Sequence, residues 1–523
     1  MSVCDAELRI ERDRVKYRID CINISASIGL PAQIGCELDL GEPMSEVSFF
    51  ASDTLGKRCH IALVRGDTKR EFSGRISSVQ LGRTSARLLV KGPLAPLDGG
   101  PKCRAFANKT INEILECILS NLDRHQLPQS ESTQTIPFFA QYNESDLRFL
   151  TRLAALEGYL IREEGDCVCV ERHSANSVIA LEWSDLLDDR ETLSLSPLPT
   201  NRTIVSSEYD PHEVARLYPV TSRDLDFEYA DTIKSAAGVL FPDSSQVYHC
   251  SCFEGQKDRS NAVARQISSG SVTYRLLTDH PGVRVGSVIS CPSGHMFRNR
   301  LFVSGIRAEW QRGAYRCEVE AVPESIASVA SADHCANALT HGMATAMVVD
   351  DKDPLQLGRV KIRFPWAEAD TWARVLSVSA GANGGAAWTP TAKDEVLCGF
   401  ELGSPSHPIV LGCLYHSEAK PSFLTDNGVD EVLIARTKGG TEVRVIDTSG
   451  KEELFVVMRN NTNELRLTLG NGGQILLQTK GDLRLAGKTA CVSATGELKL
   501  EADEITISAK KEVKIVGKTI RLN

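Results

Sequence analysis

A chain of 523 residues is too long for one ordinary core, and about two to four domains are expected. With 42% hydrophobic and 24% charged residues, the composition is globular and not that of a disordered protein. A formal net charge of −9 and the lack of any basic run argue against nucleic acid as the main partner, because a backbone binder concentrates positive charge.

From the N-terminus, MSVCDAELRIERD mixes charges with single apolar residues, so no secretory leader is expected. No run reaches the ~18–20 apolar residues of a membrane span. Synthesis in a reducing cytoplasm is the expectation. The 16 cysteines fit it: Cys167, Cys169, Cys398 and Cys413 sit among apolar residues and read as buried thiols. Cys-x-Cys pairs (Cys167/Cys169, Cys250/Cys252) put both thiols on one face of a strand, which is poor chelate geometry.

Leu8 and Ile10, then Val15, Tyr17 and Ile19, alternate around Arg12–Asp13 and predict a hairpin. Strands follow around residues 59–64, 72–79 and 86–90, and the Gly/Pro-rich stretch 92–101 reads as a boundary. Thr110 and Glu113 form a capping-box pattern, with Ile111, Ile114, Leu115, Ile118 and Leu122 at helical spacing. A second helix is expected after Asn143 or Ser145, with Phe149, Leu150, Leu153 and Leu156 on one face and Gly158 as its stop. Residues 102–195 thus read as an α/β insert between barrels at 1–95 and 200–325, the latter carrying one helix near 260–268.

Residues 325–340 are Ala/Ser-rich and read as a link. From 343 to 416 short strands are punctuated by glycines, and Val360, Ile362 and Phe364 alternate with Lys361 and Arg363, the pattern of a small OB-type barrel. A linker is expected at 417–440. Beyond it, apolar pairs recur every seven or eight residues: Ile475/Leu477, Leu483/Leu485, Leu498/Leu500, Ile505/Ile507, Val513/Ile515 and Ile520/Leu522, with a weak repeat at Cys491. Each unit is a very short strand with one apolar face, which cannot bury that face alone. So short a step suits three chains winding into a triangular prism, a rod of roughly 30 Å at the ~4.8 Å strand spacing. The alternative is an antiparallel meander with hairpin turns.

Gln141 to Leu147, Asp353-Pro354 with residues 357–366, and Lys438 to Thr441 together resemble segments of the VgrG family, the spikes of type VI secretion and related phage-tail-like injection systems. Gln141-Tyr142-Asn143-Glu144-Ser145-Asp146-Leu147 with Phe149-Leu150 and Glu157-Gly158 is similar to the family's hub signature. Asp353-Pro354 with residues 357–366 (LGRVKIRFPW) resembles the opening of its OB-fold, and residues 372–375, 394–401 and 408–415 its later strands. Lys438-Gly439-Gly440-Thr441 is similar to the start of the family's prism.

The resemblance implies a mainly β chain with an α+β hub: a phage tail hub-like half (1–335), an OB-fold collar (343–416) and a trimeric β-helix needle (441–523). It implies a homotrimer, an inner tube ring behind the hub, baseplate proteins around it, and a PAAR-like tip protein. Effector cargo and passage into or through a target cell envelope follow from the same resemblance. The sequence ends on the repeat without an appended effector domain, as spikes of extracellular particles also could. Tip binding is expected at Val513, Ile515, Lys518, Thr519, Ile520, Arg521, Leu522 and Asn523, where open strand edges invite a cap. The prism core is expected at Ile475, Leu477, Leu483, Leu485, Leu498, Leu500, Ile505 and Ile507.

No catalytic, cofactor or metal residue is expected. The interval 416–439 is too short for the lysozyme that some phage needles carry, and no phosphate loop or nucleophile elbow is present. His334, Cys335 and His341, or Tyr248 to Cys252, lack further ligands at recognisable spacing. The acidic run Glu182, Asp185, Asp188, Asp189, Glu191 reads as a solvated loop. Alternatives are a trimeric tail fibre or adhesin, which leaves the hub-like half unexplained, and a spike with hydrolase activity.

Overall fold

The computed structural model describes residues 3–521 apart from 12–17, 41–51, 129–134, 174–177, 188–190, 199–205, 209–215, 219–225, 243–261, 263–264, 267, 298–299, 329–341, 382–383, 387, 422–430, 451, 459–462 and 469–471. The chain divides into two units, residues 1–420 and 421–523.

In the first unit, alternating strands build one twelve-stranded sheet. Its main path runs Asp5–Ile10, Arg58–Arg65, Thr68–Leu81, Ser85–Lys91, Gln33–Asp39, Arg18–Ser27, Leu301–Gln311, Ala314–Pro323, Val272–Thr278 and Thr192–Leu195, and Val288–Ser290 branches from Leu301–Gln311 to pair with Val178–Ala180. The segments expected as two barrels therefore share one sheet, joined where Arg18–Ser27 pairs antiparallel with Leu301–Gln311. Its inward side chains, among them Ile22, Ile34, Leu63, Ile76, Tyr274 and Val319, form a single core. The N-terminal hairpin is corrected: Asp5–Ile10 pairs with Arg58–Arg65, and Arg18–Ser27 with Gln33–Asp39. Period-2 alternation assigns a face to each strand and leaves its partner open.

The two expected helices of the insert form, but Val178–Ala180 and Thr192–Leu195, expected within it, pair into the main sheet. Thr110 caps the helix Ile111–Leu119 in a complete capping box with Glu113. Ser145, not Asn143, caps Asp146–Glu157, and Gly158 ends it at φ 70°, a left-handed stop that glycine takes without steric cost. Phe149, Leu150 and Leu153 are buried with Ile114, Leu115 and Ile118 in a second core; the side chain of Leu156 lies outside the described set. A helix at Ala230–Leu240 stands in a stretch expected to be strands, and residues 262, 265, 266, 268 and 269 are helical near the expected position.

A closed five-stranded barrel follows, in the order Ala344–Asp350, Val360–Arg363, Thr371–Val375, Pro408–Leu414 and Glu395–Phe400. Ala346, Val348, Val360, Ile362, Phe364, Val396 and Val410 fill it, as the alternation predicts. Cys398 is buried here, but Cys413 is exposed, because the end of its strand runs past the barrel core.

The second unit holds an antiparallel meander: Glu431–Arg436, Glu442–Ile446, Glu453–Met458, Asn463–Thr468 and Gln474–Thr479. Its first strand occupies the segment expected as linker. No strand forms beyond Thr479 among the described residues.

Candidate functional site

The hub-like signature at 141–147 is a set of local contacts. Asp146, 3% exposed at its side chain, takes Lys102 Nζ at 2.6 Å and also pairs with Arg104. Gln141, fully buried, accepts from Arg104 Nε (2.6 Å) and donates to Asp146 (3.0 Å) and to the Glu144 carbonyl (2.9 Å). Glu144 pairs with Arg152 at 2.5 Å, whose guanidinium lies over Phe139 and Phe149. A buried carboxylate surrounded this way is compensated, and losing one partner would strand a charge.

The same strand, Thr135–Glu144, meets the barrel. Tyr142 packs on Trp366 at 5.0 Å and on Phe400 at 5.9 Å between ring centroids, and Trp366 stacks on Phe364 at 4.8 Å. The Ala140 N–H donates to Ser406 Oγ at 3.0 Å, and Ala105 packs on the barrel core. Sequence reasoning singled out Tyr142 and Trp366 separately, yet no local signal joins them.

At the barrel mouth, Asp353 organises the loop into Val360. Its carboxylate accepts from the N–H groups of Leu355 (3.0 Å), Leu357 (2.8 Å) and Arg359 (3.2 Å), and from the Arg359 guanidinium at 2.8 Å. The guanidinium and then the backbone donors hold the Asp353 carboxyl well below the usual carboxylate range. Gly358 sits at φ 72°, where a side chain would be strained. The DPLQLGR stretch is thus a carboxylate-centred turn.

In the second unit the register creates two continuous apolar ladders on one face. They are Leu433–Val445–Leu454–Leu467–Ile475 and Ala435–Val443–Val456–Leu465–Leu477. The opposite face mixes Arg436, Glu442, Arg444, Glu464 and Arg466 with Ile434, Phe455, Val457 and Leu476, and its charges pair with one another, Arg444–Glu442 at 2.6 Å and Arg466–Glu464 at 2.6 Å. The apolar one is not covered: Leu433 is 54% exposed, Ile475 75% and Leu477 52%.

Ile475 and Leu477 therefore lie on the apolar face, whereas Leu483, Leu485, Leu498, Leu500, Ile505 and Ile507 lie beyond the meander and are all exposed. Val513, Ile515, Lys518, Thr519, Ile520 and Arg521 are exposed as well, and Leu522 and Asn523 lie outside the described residues.

The residues weighed for chemistry have structural partners. Glu191 pairs with buried His295 at 2.7 Å, and Asp185 accepts from the Glu182 N–H, so these acids are tied down, in place of the expected solvated loop. Asp188, Asp189, Tyr248 to Cys252, His334, Cys335 and His341 lie outside the described residues. Burial pushes the Cys59, Cys169 and Cys398 thiols up to about 12, which keeps them protonated. Among the described residues, no group of three or more His, Cys, Asp or Glu could hold a metal ion. No helix in the described residues is long and apolar enough to cross a membrane.

Residues 36–276 match the family of the phage tail baseplate hub (GPD), and residues 344–415 the type VI secretion system/phage-baseplate injector OB domain. Fold and matches together liken the chain to a phage-tail-type baseplate hub joined to an injector OB domain, and its curated relatives are VgrG spike proteins. It is 23% identical over 454 residues to the type VI secretion system spike protein VgrG3 of Vibrio cholerae, which covers 77% of this chain and 43% of that protein. Over 480 residues it is 25% identical to VgrG5 of Pseudomonas aeruginosa, covering 80% and 58%. The chain thus spans about half the length of these curated relatives. A chain of the Francisella PdpA–VgrG complex has the same fold, with a TM-score of 0.57 at 11% identity over 92% of this chain and 80% of that one.

Proposed function

We propose that this chain is the structural, membrane-puncturing spike of a phage-tail-like contractile injection system, working as a homotrimer and catalysing no reaction. The observation that carries the trimer is the pair of apolar ladders, continued as exposed pairs from Leu483 to Ile520. Each large side chain moved from water into a packed contact contributes about 1.5–3 kcal/mol, so three copies winding together would convert this liability into assembly energy. The prism over 441–523 and its core at Leu483, Leu485, Leu498, Leu500, Ile505 and Ile507 belong to this proposal.

In this reading the hub half sits on the last ring of an inner tube, with baseplate proteins around it. The open end of the prism, from Val513 to Asn523, receives a PAAR-like tip protein, and effector cargo travels with the spike into the target envelope. That the structural neighbour belongs to a PdpA–VgrG complex favours a spike that engages further proteins. A tail fibre or adhesin is disfavoured, because it has no use for the hub and injector OB matches.

Electron cryomicroscopy of particles from the producing cell tests the assignment. Density for three copies at the head of the inner tube is expected, and it should vanish when the gene is deleted. Particles with an intact spike in the deletion strain would overturn it.

A further inference from the structure

Charge is not spread evenly along the C-terminal repeat. Residues 480–504 carry four Lys or Arg against five Asp or Glu, whereas residues 505–521 carry five cations, Lys510, Lys511, Lys514, Lys518 and Arg521, against the single acid Glu512. The first stretch pairs charges locally: Arg484 lies 4.0 Å from Asp482, and Lys499 2.5 Å from Glu501. None of the five later cations has an ion-pair partner among the described residues, and all five are exposed.

Apolar residues interrupt these cations, so they form no continuous run in the sequence. An extended chain points successive side chains to opposite sides, which puts Lys514, Val516 and Lys518 on the side away from Val513 and Ile515. Val516 is 80% exposed, so an aliphatic side chain stands in water between two ammonium groups. Three copies wound together would triple the positive excess, and a surface of opposite sign relieves the repulsion. Cations interleaved with an exposed aliphatic group match an anionic bilayer, whose phosphates take the charges and whose acyl boundary takes the apolar side chain. A nucleic acid backbone would use the charges and leave Val516 in water.

We propose that residues 510–521 are a contact for anionic membranes, in which Lys510, Lys511, Lys514, Lys518 and Arg521 bind lipid phosphates and Val516 enters the acyl boundary. This rests on the needle assigned to the chain's function and names the surface on which that needle works. Each cation near a charged leaflet strengthens binding on the order of fivefold. The attraction falls with salt, because the screening length shrinks from about 10 Å at about 0.1 M to about 3 Å at about 1 M.

Flotation of the full-length chain with lipid vesicles tests this. The protein should float with phosphatidylcholine vesicles containing about one-third phosphatidylglycerol, stay down with pure phosphatidylcholine, and be released at about 1 M salt. The combined variant Lys514→Gln, Lys518→Gln and Arg521→Gln should bind on the order of a hundredfold more weakly. The combined variant Lys480→Gln, Arg484→Gln and Lys488→Gln, in the mixed-charge stretch, should bind as the wild type. Inorganic phosphate at matched ionic strength should not compete. Should the first variant fail to assemble, Lys518→Gln alone decides, with a loss on the order of fivefold. Competition by free phosphate, a preference for duplex DNA over the vesicles, or wild-type binding by the assembled variant overturns the contact. So does a wild type that ignores anionic vesicles, including one whose cations serve only to capture a tip protein. Light scattering on the same samples separates this from the function: a trimer that ignores the vesicles overturns the contact and leaves the needle, and a monomer that binds them does the reverse.

Discussion

Tyr142 of the insert and Trp366 of the barrel lie 5.0 Å apart between ring centroids, tilted by 49°. Each belongs to a motif that recurs in the resemblance to spike proteins, and here the two motifs are one contact. Phe364 and Phe400 complete the cluster, while Ser406 ties the insert's backbone to the barrel loop. Insert and barrel are therefore joined by packed aromatic side chains and a backbone hydrogen bond.

Removing the ring tests this joint. Tyr142→Ala should lower the stability of the full chain by about 2 kcal/mol, from lost apolar burial and a lost aromatic pair, whereas Tyr142→Phe should be nearly silent. Denaturant unfolding followed by tryptophan fluorescence reads the difference. Equal midpoints for Tyr142→Ala and the wild type would show that the contact holds nothing.

Asp353→Asn should loosen the turn into the barrel. It takes the charge from a carboxylate that accepts three backbone N–H groups and the Arg359 guanidinium, at a cost of about 2–3 kcal/mol. The pH sign is set by its lowered carboxyl: the contribution is fully present above the ordinary value of 3.8 and is lost as pH falls below it. Acid titration of thermal stability should therefore be shallower below that value in the variant than in the wild type.

The local elements were legible because their signals are local. Thr110, Glu113, Ser145 and Gly158 carry cap chemistry within a few residues of the helices they delimit. The helix Ala230–Leu240 starts at Tyr229, which sits at φ 72° and offers no side-chain cap, so no start signal was there to find. Long-range pairing was the other blind spot. Nothing in Arg18–Ser27 points to Leu301–Gln311 as its neighbour, and nothing near Tyr142 points to Trp366. The spacing of Ile475 and Leu477 marked an apolar face, but its extension through Leu433 to Leu467 emerges only once the meander register is known.

Side chains of the repeat should differ sharply by face. Leu485→Asp or Ile507→Asp would bring three carboxylates near one axis and should prevent needle assembly, while Lys499→Glu should leave it intact. Lys499 pairs with nearby Glu501 at 2.5 Å, largely in solvent. Thermal melts that do not separate the two kinds of variant would contradict the inside/outside assignment.

Deleting residues 518–523 should spare the oligomer yet abolish binding of the tip protein and injection. Pull-down of the particle's own cone-like partner reads this. Unchanged affinity would place the platform elsewhere.

The mass of the full-length chain in solution tests the central claim most directly. Multi-angle light scattering at micromolar concentration should give about three times the 57.1 kDa chain mass, with Leu465→Asp and Leu485→Asp lowering it. Both positions belong to the exposed apolar series that a monomer leaves uncovered. A monomer or dimer for the wild type would contradict the trimeric spike.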